Sequence, residues 1–157
     1  DTFRKIDLTQ YRSQISSITH GENPFEGTIK ENITFNDKKV TNEDLKWALG
    51  GVKLTSLIKT LPNGLDTKIF PEGKQISSSN AQKILLARSI IQKPQILFYE
   101  DPTDTMDQKI AEELIDFITS ENNKWTVIVS SKNPYWMQRC SRVITMKNGT
   151  IELDSKK

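Results

Sequence analysis

The chain has 157 residues, enough for one domain with one modest core. Charged residues make up 27% and hydrophobic residues 35%, with a mean hydropathy of −0.54, a balance that excludes a disordered, strongly charged chain. Lys and Arg total 22 against 20 Asp and Glu, a net charge of +2, which argues against a nucleic-acid binder held by bulk charge.

Residues 15–19 are the first strand candidate. Thr41 opens a helix with Asp44 three residues on as its capping-box partner. Leu45, Trp47, Ala48 and Leu49 ride on that helix, and Gly50-Gly51 is expected to stop it. A short helix near 54–61 ends in the Pro62-Asn63-Gly64 turn. A third helix over 80–92 carries Ala81, Ile84, Leu85, Ala87, Ile90 and Ile91 over a wide face, so deep burial is expected. Residues 95–99 form a continuous apolar run that stops at Glu100-Asp101-Pro102, the pattern of a parallel strand buried on both faces. Ile110, Ala111, Leu114, Phe117 and Ile118 keep helical spacing, and 126–130 and 143–146 are further strands. Asn148-Gly149 makes a tight turn into Ile151-Glu152-Leu153. From residue 95 onward this is the βαβ pattern of an α/β sheet, and residues 28–92, nearly all helix and turn, read as a helical insertion.

One cysteine, Cys140, excludes an internal disulfide framework and fits a reducing compartment. The apolar runs at 84–87, 96–99 and 127–129 are far short of the roughly 20 residues that span a bilayer. The start, Asp1-Thr2-Phe3-Arg4, has neither an initiator Met nor a signal-peptide pattern and reads as a cut from something longer.

Two features point to chemistry. Glu100 and Asp101 end a buried parallel strand, where open α/β sheets bind ligands. Two acids there can hold Mg²⁺ through water and orient an attacking water, or they can be solvated acids in a turn. Ile76-Ser77-Ser78-Ser79-Asn80 precedes the long helix. Hydroxyls and free N–H groups at a helix start can bind an anion, and they can equally be ordinary N-capping.

Together these segments resemble the ATP-binding-cassette (ABC) ATPase domain of the exporter type. Phe25-Glu26-Gly27-Thr28-Ile29-Lys30-Glu31-Asn32-Ile33 resembles the exporter stretch F-x-G-T-I-x-x-N-I. Leu61-Pro62-Asn63-Gly64-Leu65-Asp66-Thr67 resembles L-P-x-G-L-x-T. Glu72-Gly73, residues 76–80, Gln82, Leu86-Ala87-Arg88, the 95–102 run and Asp107 follow in the family's order, so the resemblance covers nearly the whole chain. It implies a partial P-loop NTPase fold, α/β, with a parallel sheet and a helical subdomain, truncated at its N-terminus. Residues 1–27 and 93–157 would form the sheet part and 28–92 the helical subdomain with the signature motif. The family's Walker A loop, G-x-x-x-x-G-K-S/T, does not occur in this sequence.

The matched motifs depart from the family pattern. His20 stands at the Q-loop glutamine, which contacts metal and water; the plainer reading is a surface-loop His next to Gly21. Ser77 matches the signature Ser, while Ser78 and Ser79 replace two glycines and Asn80 a Gln, which hinders close approach to a partner's γ-phosphate. Glu100-Asp101 reverses the family's Asp-Glu, giving the metal side the longer acid and the general-base position the shorter. Asp107 keeps the last acid of the D-loop. Lys132 occupies the switch-histidine position, where it offers positive charge or is simply a solvated lysine. Trp47, Trp125 and Trp136 read as packing residues, Cys140 as small and half-buried, and Lys156-Lys157 as a frayed end.

The resemblance thus implies part of the nucleotide-binding domain of an ABC exporter. Its parent would couple ATP binding or hydrolysis to membrane transport, with ATP and Mg²⁺ as cofactors. A second ATPase domain and a transmembrane domain would be its partners, without nucleic acid, at the cytoplasmic face of a membrane, the bacterial inner membrane in particular. The implied catalytic residues are Asp101, Glu100 and Lys132. The nucleotide-binding residues are His20, Ser77, Ser78, Ser79, Asn80 and Asp107, and the metal-side residues are Glu100 and His20. The piece itself is expected to be inactive alone. The alternative is a catalytically dead, ABC-like interaction module. A soluble ABC ATPase of DNA repair or translation ranks last, since those tend to lack the two exporter-like stretches.

Overall fold

The computed structural model describes residues 6–19, 21–70 and 75–157. His20, Glu72 and Gly73 lie outside the described residues. The described residues begin with α1 (Leu8–Ser13) and β1 (Ile15–Ile18). Next come β2 (Gly27–Thr28), α2 (Ile29–Thr34), α3 (Asn42–Gly51), α4 (Thr55–Thr60), β3 (Lys68–Ile69) and α5 (Ser78–Ile90). The rest alternates: β4 (Ile96–Glu100), α6 (Gln108–Ile118), β5 (Thr126–Ser130), α7 (Pro134–Arg139), β6 (Arg142–Lys147) and β7 (Thr150–Lys156).

A three-stranded parallel sheet in the order β1-β4-β5 forms the base. Ile15 pairs with Ile96, and Glu100 pairs with Ser130. Leu97 and Tyr99 point into the core, where Ile84, Leu85 and Ile90 of α5 are also fully buried. α5 packs against β1, α2 and α3, so the long helix joins the sheet to the helical stretch.

Local rules explain most helix starts. In α2, Thr28 Oγ1 accepts from the Glu31 amide and Glu31 Oε2 accepts from the Thr28 amide, a complete capping box. Thr41 and Asp44 make the same box for α3. Two readings of helix ends change. Gly50 and Gly51 do not stop α3 but form its last turn, and Phe117 occupies the space where a Gly51 side chain would sit. α5 begins at Ser78 rather than at Asn80, with Ser77 as its N-cap.

The strand expected at 95–99 forms, as β4, the middle strand of this sheet, but it is not buried on both faces. Phe98 is 41% and Ile128, opposite it on β5, 51% exposed, because burial of both faces needs a helix over each. β6 also departs from the expected βαβ continuation: it pairs antiparallel with β7 as a separate hairpin. A groove of about 720 Å³, lined by Val127, Val129, Arg142 and Ile144, runs between β5 and β6. The hairpin turn is as the dipeptide suggests, with Asn148 at φ 50° and Gly149 at φ 78°. Lys157 is no frayed end: its ammonium donates to the Met137 and Gln138 carbonyls, at 2.6 and 2.7 Å, where α7 leaves them unpaired.

Candidate functional site at the end of the parallel sheet

The C-terminal ends of β4 and β5 deliver the candidate acids and the candidate cation to one edge. Parallel register sets Glu100 beside Ser130, and the Asp101 amide donates to the Ser130 carbonyl at 3.0 Å. Lys132 follows two residues later and is exposed, as is Glu100.

Asp101 is half-buried and its carboxylate gathers four donors. Oδ1 accepts from the Thr103 amide at 2.9 Å. Oδ2 accepts from Thr103 Oγ1 at 2.9 Å, Ser131 Oγ at 2.5 Å and the Trp136 indole N–H at 2.8 Å. Asn133 closes the network, its amide donating to Ser131 Oγ at 2.9 Å and its Nδ2 to Thr103 Oγ1 at 3.1 Å. Asn133 also caps α7, with Pro134 at the first helical position. Trp136 is buried, its ring 5.9 Å from that of Tyr99. Burial, and then the neighbouring Asp101 carboxylate, push the Tyr99 phenol well above its ordinary range.

The other candidates stand apart from this network. Ser77 caps α5 by accepting from the Asn80 amide at 3.3 Å, and Ser78, Ser79 and Asn80 are the helix's first three residues. Asp107 caps α6, accepting from the Lys109 and Ile110 amides at 3.0 and 3.3 Å. Among the described residues no group of three or more His, Cys, Asp or Glu is arranged to hold a metal ion. A Mg²⁺ brought in with phosphates needs only one or two protein carboxylates, so this edge does not exclude one.

Thr103, Ser131, Asn133 and Trp136 are the residues that motif reading missed. Asn133-Pro134 is legible as a helix start, but Trp136 and Asp101 are 35 positions apart. Trp47 and Trp125 are packing residues, with Phe117 completing a cluster of ring centroids 5.8–6.4 Å apart. Cys140 is half-buried, and burial raises its thiol.

No family model matches the chain. The ATP-dependent permease MDL1 of Candida albicans is 32% identical over 133 residues, covering 83% of this chain and 19% of that protein. The ABC-type transporter kk1G of Curvularia clavata is 28% identical, over 90% of this chain and 11% of its own. An ATP-dependent lipid A-core flippase of Desulfotalea psychrophila is 26% identical, over 94% and 26%. The chain therefore spans only a tenth to a quarter of these relatives' length. A solved structure, a bacterial Atm1-family ABC exporter with ATP bound, superposes with a TM-score of 0.88 over 98% of this chain and 27% of that one. At 18% identity that likeness bears on the fold alone.

Proposed function

Because the chain corresponds to the later part of an exporter-type ABC transporter ATPase domain, we propose that it works within a longer transporter that couples ATP binding and hydrolysis to movement of a substrate across a membrane. The observation that carries this reading is the sheet edge itself: two acids and a lysine loop at the C-terminal ends of paired parallel strands. Phosphate ligands of open α/β sheets sit at such an edge.

In this reading Glu100, Asp101 and Lys132 form the end that meets the terminal phosphate. His20 and Asp107 belong to the same nucleotide site. Residues 77–80, at the start of α5, face the nucleotide held by a second ATPase domain. Glu100 and His20 would meet a Mg²⁺ brought with the triphosphate, which would offset charge on the phosphates. Residues 28–92 act as the helical subdomain between the two sheet parts, 1–27 and 93–157. The partners are that second ATPase domain and a transmembrane domain, with this chain at the cytoplasmic face of the membrane. No helix among the described residues is long and apolar enough to cross one.

One observation favours the alternative, a catalytically silent interaction module. The shorter acid at the general-base position is already committed to four donors.

The test is calorimetric titration of Mg·ATP into this chain and into a longer protein that carries it. The chain alone should bind very weakly, because it contains no phosphate-cradling loop. The longer protein should bind ATP and hydrolyse it. Tight binding by the monomeric chain would sink the expectation of inactivity. A longer protein that neither binds nor hydrolyses ATP would leave the silent module as the function.

A further inference from the structure

We infer that Asp101 is a positioning residue, a clamp that fixes the backbone on both sides of Lys132, rather than the group that takes a proton from an attacking water. The inference rests on reading this sheet edge as an ATP site.

A carboxylate offers about four lone-pair sites, two on each oxygen. Oδ2 of Asp101 already serves three donors and Oδ1 one. A proton arriving on Oδ2 would face three donors and displace at least one of them. A water bound at Oδ2 would first have to break the network, which leaves the second acceptor site of Oδ1, beside the Thr103 amide, as the approach a proton acceptor would need.

What the donors hold is equally specific. Ser131 and Asn133 flank Lys132 in sequence. Ser131 is tied directly to Asp101, and Asn133 to Ser131 and to Thr103. Trp136, anchored to the same oxygen, fixes the first turn of α7 just beyond. The lysine therefore presents an exposed side chain on a backbone pinned from both sides, which suits a cation that must meet a phosphate. Arm length matters too. A Glu at 101 would move the carboxylate outward by about one C–C bond, ~1.5 Å, and misalign it with all three side-chain donors.

Hydrogen exchange on the 157-residue chain tests the clamp. In Asp101→Asn and in Ser131→Ala, protection at residues 131–133 should fall by about tenfold, the usual worth of such a bond. The double variant should lose no more than the worse single one, since both remove one network. Trp136→Phe, which keeps the carboxylate and most of the packing, should also loosen 131–133. Unchanged protection in these variants, or strictly additive losses, would overturn the clamp. In the longer protein, Asp101→Asn and Ser131→Ala should both raise KM for Mg·ATP and leave the acid limb of the pH–rate profile in place. If Asp101→Asn alone abolishes kcat and removes that limb while Ser131→Ala changes nothing, Asp101 is the proton acceptor and the inference fails. A wild-type longer protein without ATP turnover refutes the ATPase reading instead, and the exchange measurements on the chain still decide the clamp.

Discussion

Gly51 lies directly against the ring of Phe117: a Cβ built on its backbone would fall 2.1 Å from Phe117 Cζ. The glycine is what lets α3 and α6 approach at this point. Its neighbour Gly50 faces open space, with nothing within 4 Å of a built Cβ. Gly51→Ala should therefore destabilise the chain by about 1–3 kcal/mol through overpacking. Gly50→Ala should stabilise it by about 0.5–1 kcal/mol through helix propensity. Urea unfolding of the two variants reads the opposite signs directly.

Asn32 is fully buried and stitches three segments together. Its Oδ1 accepts from the Phe25 amide at 2.9 Å and from Arg88 at 2.7 Å, while Nδ2 donates to the Phe25 and Thr28 carbonyls. Asn32→Ala strands several buried partners at once, so a loss of about 2–4 kcal/mol is expected. The Arg88 guanidinium, also within about 5 Å of the Phe25 and Phe35 rings, would keep its bond to the Asn32 backbone carbonyl. A loss below 1 kcal/mol in chemical denaturation would show that the turn is held by its aromatic contacts instead.

Lys93 and Thr41 hold the Asp44 carboxyl down to about 2, the lysine contributing most. The folded value lies below the ordinary 3.8, so folding binds the charged form. That stabilisation is complete above about pH 5, falls as the pH drops from about 4 to 2, and is gone below. Thermal midpoints measured from pH 6 to 2 should fall less steeply for Asp44→Asn than for the parent chain. Added salt should shrink the Lys93 part, since the pair is exposed.

β5 is an edge strand of the sheet, and Thr126, Val127, Ile128, Val129 and Ser130 include neither a charge nor a proline to discourage pairing. A groove of about 720 Å³ lies beside it. The isolated chain should self-associate with rising concentration in sedimentation, and Ile128→Lys should reduce that association. A strictly monomeric chain with a cooperative transition above roughly 60 °C would show that the edge is protected after all.

Ser78 and Ser79 put side chains in the first turn of α5, where a phosphate would have to meet backbone. In the longer protein, Ser78→Gly/Ser79→Gly should raise ATP-driven dimerisation more than Glu100→Asp/Asp101→Glu. The carboxylate exchange keeps both charges but lengthens the clamped acid. Dimerisation restored by the carboxylate exchange alone would reverse this ranking.

Much of the architecture follows from the sequence because it rests on short-range rules. Thr41 and Asp44 are three residues apart, and an apolar run ending in two acids marks a parallel strand at its ligand-facing end. Asn148-Gly149 accepts positive φ at little cost. The ordered motifs likewise point to a family before any coordinate is known, since each is local. What the sequence cannot carry is which side chain meets which across dozens of residues. Gly50 and Gly51 look like a helix stop until Phe117 arrives from 66 positions away and fills the space above one of them. Phe98 looks like a core residue, yet burial depends on whether a helix covers that face of the sheet, which no feature of the strand encodes. Asp101 looks like a reactive acid at a strand end. Only the tertiary fold brings Ser131 and Trp136 within hydrogen-bonding reach, and a carboxylate with three donors crowded on one oxygen is a different chemical group from a solvated one.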